Sequence, residues 1–594
     1  MRRVFGNSKV SLAIVFAVII IKLIFSSWEV LTWDAFGYYL YLPLVFYEQT
    51  LIMPTLEYAS AIYSEYNPSS SLYQFTQVPN GNFIIRYPVG MAVVYAPFFA
   101  MGHVVAIMGG YPIDGFSTPY QVCMKLGSAS YYLLTFVLLR KVLNRYYRDV
   151  IVAGSLLLVF FGTNLLQFLP AYHVMANGTS LFLFAIFIFL VDFYYRNQHT
   201  RWAVAIGLVY GLICLTRFTN ALVLIPAVLW PIAVHGKQGF SELFHIIKQR
   251  KAHIALAAII ALSLFSLQLL YWKIAGGKWI LDSYGNPGEG LDFLSPETLN
   301  FLFSFRTGWL IYTPLMILVL GYIFWAVVKG KYRLLPFFVF IVIFIYVASS
   351  WSNYSYGGGY SQRAMVEALA ILVFPLAGFL QKLISLESKV WQHSITGVIS
   401  VLILLNIWQV IQFENKVITK DRNTAAYYFS SFFDWEPDPE KERLLLVDRN
   451  INADTLSSVP KGYELVKKYK LPLNNPGASL IGQAFTPAWK MSFEELCPAD
   501  HCWLKHEIET LGIPAEQALL VMTFERKEGL YHYHTYELPN IVSRKDSTVY
   551  RGEQFYLTPE VRSPRDTFIT YLWNREMKAF TPIEISLSVY AKKN

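Results

Sequence analysis

The chain has 594 residues, 55% hydrophobic and 17% aromatic but only 15% charged. A soluble domain carries about a quarter charged residues, so an ordinary soluble globule is excluded and a membrane protein with a soluble part attached is indicated. The formal net charge of +9 does not mark a nucleic-acid binder, because Lys and Arg cluster in short loops between apolar runs, where they set topology.

The first segment, "MRRVFGNSKVSLAIVFAVIIIKLIF", has the basic start and apolar run of a signal peptide. No small-residue cleavage site follows, so it is expected to stay as a first anchor. Runs of spanning length, about 20 residues for a hydrocarbon core of about 30 Å, fall near 10–27, 84–109, 118–140, 150–169, 174–195, 202–234, 253–272, 306–328, 334–350, 363–381 and 393–412. Residues 28–85 contain Glu29, Asp34, Glu48, Glu57 and Glu65 and no Lys or Arg. Basic clusters lie at Arg140–Arg148, Arg196 and Arg201, Lys237–Lys251, Lys329–Arg333, and Lys382 and Lys389. The positive-inside rule places those clusters in the cytoplasm and 28–85 outside.

Parity then forces two choices. The run at 84–109, opening "RYPVGMAVVYAPFF", reads as an interfacial or re-entrant helix on the outer side. The run at 202–234 splits at "TRFTN" into two short helices, with Arg217 at the outer face. The expected architecture is a polytopic α-helical membrane protein of about eleven spans plus outer-face juxtamembrane helices, N-terminus in and C-terminus out. Cys123 and Cys214 fall in apolar runs and read as packing residues.

Residues 1–413 thus form a transmembrane domain with its outer loop at 28–85, and 414–439 a polar connector. From 440 to 594 the pattern alternates with period two, as in "ALLVMTFERKEGLYHYHTYELP" and "DTFITYLWNREMKAFTPIEISLSVYA". This predicts an outward antiparallel β-sandwich, carbohydrate-binding-like or simply a scaffold. Its "CPADHCWLKHE" stretch carries Cys497, His501, Cys502 and His506, which are metal-ligand types. An oxidising outer compartment favours a Cys497–Cys502 disulfide over metal or free thiols.

Asp34, in "WDAFGYYLYLPLVFYE", opens a helix expected over 35–48. It reads either as a helix-start charge or as a functional acid. Arg86, Arg217 and Arg363 fall on the same outer side, where positive-inside does not favour them. Each alone suits a headgroup contact or snorkelling; three beside an outward acid suit a site for an anionic phosphate, which the planar guanidinium grips bidentately. Tyr38 and His173 are further candidates for substrate binding. Asp282 and Glu289, in "KWILDSYGNPGEGLDF", are either second acids or ordinary loop residues. This set fits glycosyl transfer from a polyprenyl-phosphate sugar: a carboxylate takes the acceptor hydroxyl's proton, and cations neutralise the departing lipid phosphate.

The segments "WDAFGYYLYLP" and "IIRYPVGMAVVYAPFF", with "SYGGGYSQR" and "LNIWQVIQF" further on, resemble the GT-C superfamily of integral-membrane glycosyltransferases. Within it they are most similar to protein O-mannosyltransferases and the lipid A aminoarabinose transferase, over about residues 8–412. The resemblance puts Asp34 in the place of the family's outer-loop acid and Arg86 where the family often has Lys or His. It implies eleven to thirteen spans, a C-terminal outer domain and a bacterial inner-membrane location with a periplasmic tail. Asp34 is followed by Ala35 and Phe36 rather than a second carboxylate or an Arg-Tyr pair. Metal-dependent relatives use paired acids, so no catalytic metal or other cofactor is expected. There is no nucleotide phosphate loop and no Asp-x-Asp motif, in keeping with a lipid-linked donor.

The expected partners are membrane lipid, the lipid-linked sugar, and a protein, lipid or glycan acceptor, with no nucleic acid. Two other readings stand beside the enzyme. A lipid-linked sugar flippase would need a through-path of charges and commonly an internal repeat; a non-catalytic envelope assembly factor would use the tail as its binding module.

Overall fold

The computed structural model describes residues 7–284, 289–449, 456, 458–473, 476–512, 514, 518–527, 529–544, 548–561 and 563–592. They fall into two compact units, one reaching residue 284 and resuming from Leu291 to Leu445, the other running from Leu446 onward together with Glu289 and Gly290.

The first unit is helical. Among the described residues seven helices are long and apolar enough to cross a membrane, or eight if the pair Asp149–Phe161 and Leu165–Ala171, bent by 68°, is one span. Four shorter apolar helices, Thr200–Thr216, Phe218–Val228, Leu315–Val328 and Leu369–Ile384, lie in the remaining apolar runs. The sequence pattern predicts more crossings than full-length helices exist because several runs break at polar or proline-bearing turns. "TRFTN" is one such break: the helix stops at Thr216, and a 3-10 turn takes over at Phe218. The run at 84–109, expected to lie at the interface, is the strand Phe83–Ile85 and then a 20-residue helix, Gly90–Gly109, of crossing length with Pro97 inside it.

The first helix, Ser8–Phe25, begins where the Asn7 side chain accepts from Lys9 N, a standard N-cap. The long loop after it is folded. The helix expected over 35–48 is present as three short pieces, Asp34–Tyr39, Tyr41–Pro43 and a π turn at Leu44–Glu48. A helix at Glu57–Tyr66 follows, then a two-stranded hairpin that pairs β1 (Phe75–Gln77) with β2 (Phe83–Ile85), Phe75 opposite Ile85. The pairing brings residues just before β1 and just after β2 to the same end of the hairpin, and the loop packs into the unit's main apolar core through Phe36, Tyr39, Leu40, Ile84 and Ile85.

The second unit is a β-sandwich. A four-stranded sheet has the order β4 (Trp489–Ser492), β10 (Thr567–Asn574), β6 (Ala518–Arg526), β7 (Gly529–Glu537). A five-stranded sheet has the order β3 (Tyr463–Lys470), β11 (Thr581–Lys592), β5 (Trp503–Leu511), β9 (Val549–Leu557), β8 (Val542–Arg544). Leu504, Ile508, Leu587 and Val589 from one sheet and Leu520, Met522, Phe524, Phe568 and Leu572 from the other belong to one apolar core, as period-two alternation requires.

The expected Cys497–Cys502 disulfide is absent: both are buried free thiols, and Cys497 Sγ donates to the His501 carbonyl at 3.1 Å. The histidines are engaged elsewhere, His501 with Asp500 and Tyr463, His506 with Thr570 Oγ1. Among the described residues no group of three or more His, Cys, Asp or Glu side chains converges as a metal site would require.

Candidate active site

Asp34 is the first residue of its short helix, and the chain enters it through Trp33 at φ 54°, ψ −125°. This is strained backbone for a residue with a side chain, pinned by hydrogen bonds from Trp33 N to the Pro68 carbonyl (2.8 Å) and from Gln74 Nε2 to the Trp33 carbonyl (3.1 Å). The carboxylate does not cap the helix. Its Oδ1 accepts from the hydroxyls of Tyr73 and Tyr87, each at 2.8 Å, and its Oδ2 lies 3.1 Å from Arg363 Nη1. The two phenols flank the two strands at the open end of the hairpin.

Gly37, one turn beyond Asp34, makes this approach possible, because a Cβ there would stand 2.5 Å from the Tyr87 ring. Burial by itself raises an acid's pKa. Here the Arg363 charge and the two phenol hydrogen bonds outweigh burial and hold Asp34 below the usual carboxylate range. The acid keeps 17% of its side chain exposed and Arg363 keeps 27%.

Arg363 arrives from the "SYGGGYSQR" loop. Tyr356, Gly357, Gly358, Gly359 and Ser361 all have positive φ, a run that only a glycine-rich segment sustains at modest cost. Gly358 has φ +84°, and a Cβ there would lie 3.0 Å from the Lys420 carbonyl; Gly359 N donates to that same carbonyl at 2.8 Å. Gln362 then anchors the exit, its amide donating to Thr307 Oγ1 and to the Tyr354 carbonyl, each at 3.0 Å.

A second ion pair lies beside the first. Arg217, at the helix break, is 3.3 Å from Glu367 Oε1, with 23% of the arginine side chain and 1% of the glutamate side chain exposed. Asn177 Nδ2 donates to both Glu367 oxygens, at 3.3 and 3.0 Å, and the Arg217 guanidinium lies 6.0 Å from the centre of the Tyr356 ring. Arg217, Thr219, Tyr356, Ala364 and Glu367 line a cavity of about 10 Å³, room for about one water. Tyr38, its ring packed on Tyr87 at 4.4 Å, ties the pairs together. Burial and the Asp34 charge push its phenol up, while Arg217 and Arg363 both act in the opposite direction.

The structure therefore brings Asp34, Tyr38, Arg217 and Arg363 together. Arg86 is the neighbour of Tyr87 in the chain: its Nε donates to Thr76 Oγ1 at 3.0 Å, and Tyr87 reaches Asp34. His173 lies elsewhere, 3.5 Å from Ser26 Oγ and stacked on Tyr132; burial and the Lys125 charge push its pKa down to about 4. Asp282 is exposed and accepts from Tyr284 N at 3.1 Å, which fixes its own turn. Glu289 clusters with the second unit.

The second acid of the site is Glu367, which the sequence reading did not single out. A signal for it existed: an acid inside an apolar run of spanning length is costly and marks function or a specific partner. Tyr73 and Tyr87 had no such signal, since the hairpin that joins them is a tertiary feature.

Fold and site together define the class, a multi-pass helical membrane protein with a C-terminal β domain and a half-buried cluster of two carboxylate–arginine pairs beside the folded loop after its Ser8–Phe25 helix. No family model matches the chain, and no curated protein sequence matches it. Among solved structures it aligns with the archaeal oligosaccharyltransferase AglB from Archaeoglobus fulgidus, in complex with an inhibitory peptide and a dolichol-phosphate. That alignment has a TM-score of 0.40 and 11% identity, covering 73% of this chain and 58% of the other. It also aligns with the arabinosyltransferase EmbB from Mycobacterium smegmatis, at a TM-score of 0.24 and 13% identity, covering 85% of this chain and 63% of that one. The chain spans less than two thirds of the length of either.

Proposed function

We propose that the protein moves a sugar from a polyprenyl-phosphate donor to a hydroxyl of a protein, lipid or envelope-glycan acceptor at the outer face of a bacterial inner membrane. The observation that carries this reading is one carboxylate, Asp34, partly open, oriented by two phenols and set against Arg363 with a second arginine close by.

In the reaction, Asp34 accepts the proton of the acceptor hydroxyl. The hydroxyl oxygen bonds to the anomeric carbon as the bond from that carbon to the phosphate oxygen breaks, and the electron pair leaves with the lipid phosphate. A phosphodiester with one negative charge becomes a monoester with two. Arg363 and Arg217 stabilise that growing charge, and interactions that strengthen in the transition state raise the rate. A single base without a covalent nucleophile implies inversion at the anomeric carbon. Arg86, just after the hairpin, is assigned to the lipid phosphate, and Tyr38, packed on Tyr87, to acceptor or donor contacts. No metal is required by this scheme.

The test uses wild type and Asp34→Asn in lipid nanodiscs with labelled polyprenyl-phosphate sugars and an envelope extract. Wild type is expected to label an acceptor and the Asn form to lose at least ~100-fold in rate, while binding donor. Equal transfer by the two would reduce Asp34 to a structural charge and overturn the assignment.

A further inference from the structure

An arginine already paired with a carboxylate is a poor anion receptor. In this site both arginines are paired: Arg363 with Asp34 and Arg217 with Glu367. The cavity beside Arg217 has room for about one water, about 10 Å³, so as it stands it does not hold a phosphate between the arginine and its carboxylate. The carboxylates are held independently of the arginines. Asp34 keeps two phenol hydrogen bonds and Glu367 keeps the Asn177 amide on both oxygens. Each has somewhere to stay when its cation turns away.

We infer that Asp34 and Glu367 are resident counter-ions that an incoming phosphate ester must displace from Arg363 and Arg217, and that this displacement switches Asp34 into a working base. The inference rests on the proposed function.

It resolves a conflict in that reading. A general base works best when its proton affinity is not far below neutrality, yet Asp34 as observed is held in its ionised form by Arg363, Tyr73 and Tyr87, with Tyr38 packed on Tyr87 and Arg217 and Tyr284 within electrostatic reach of Tyr38. Phosphate on Arg363 removes the largest stabiliser of the carboxylate and places a second negative charge nearby, and both raise its proton affinity. Without donor each arginine faces its own carboxylate and the base is idle. Glu367, 1% exposed, is the positioning residue of the second pair: it holds Arg217 in place until an anion competes.

The probe is methyl polyprenyl phosphate, a phosphodiester with no sugar to transfer and no titration near neutrality, in phosphatidylcholine nanodiscs. Its affinity is measured for wild type, Asp34→Asn, Glu367→Gln and Arg363→Gln, each checked by thermal melting. A competing carboxylate predicts tighter binding once it is neutralised, about tenfold for a pair worth ~1.4 kcal/mol, in both Asp34→Asn and Glu367→Gln. Arg363→Gln is expected to bind at least tenfold more weakly. On wild type alone, binding at pH 5, run in two buffers of different ionisation enthalpy, should show net proton uptake.

Unchanged or weaker binding by both neutralised carboxylates, or no proton uptake, overturns the displacement while an Arg363-dependent affinity leaves the proposed function standing. Equal affinity of wild type and Arg363→Gln overturns both. The same tightening for phosphatidylglycerol, with no preference for the polyprenyl ester, would make this a headgroup site and overturn the donor assignment.

Discussion

Asp34 owes its character to three neighbours that lie 39, 53 and 329 residues away along the chain, Tyr73, Tyr87 and Arg363. Its folded pKa lies below the unfolded value. Its stabilising contribution is therefore fully present above the ordinary aspartate range and is lost as pH falls through the depressed folded pKa. Replacing Tyr73 and Tyr87 together with Phe removes two donors to a charged acceptor, each worth about 1.5–3 kcal/mol. The acid limb of the transfer rate is expected to move to higher pH, and a pH profile of kcat/KM for wild type and double variant checks it; an unmoved limb would mean that Asp34 is not the titrating base. At this scale Asp34, Arg217 and Arg363 are legible in the sequence because charges stand out against apolar or glycine-rich surroundings. The phenols are not, since tyrosine is common here, with 40 in the chain.

Among the elements, the hairpin and the glycine loop do most to build the site. The short helix from Asp34 to Tyr39 presents its acid to Tyr87 only because Gly37 leaves room for the ring. Gly37→Ala forces that ring away and should lower transfer in the manner of Tyr87→Phe, with a stability loss of about 1–3 kcal/mol from overpacking. Combining Gly37→Ala with Tyr87→Phe should then cost little more than either alone, because both act through one contact. Rate and melting temperature of the two single variants and the double variant decide this. The helix beginning at Asp34 is legible from its residue types. The hairpin is not: strands of three residues, β1 and β2, are too short to show an alternation period.

On the scale of the whole molecule the chain is two units with separate cores. A piece comprising residues 446–594 is expected to unfold cooperatively on its own with a β-type circular dichroism spectrum, because its two sheets bury large side chains such as Phe524, Phe568 and Trp503. A broad, non-cooperative melt would show that the sandwich needs the helical unit to fold. The sandwich is legible because period-two alternation over strands of eight or more residues, such as β5, β9 and β11, is a strong signal.

By itself the sequence determined the broad class, the apolar helical unit and the β-rich tail, because burial in lipid or in a sheet imposes a period that composition and spacing reveal. It also exposed three of the site's four charged residues, Asp34, Arg217 and Arg363. Only the tertiary structure decided how those charges pair. Arg363 closes on Asp34, Arg217 closes on a glutamate buried in an apolar run, and two tyrosines flanking the open end of a hairpin complete the acid's shell. The physical reason is that ion pairing and hydrogen bonding act over about 3 Å in space and carry no period along the chain.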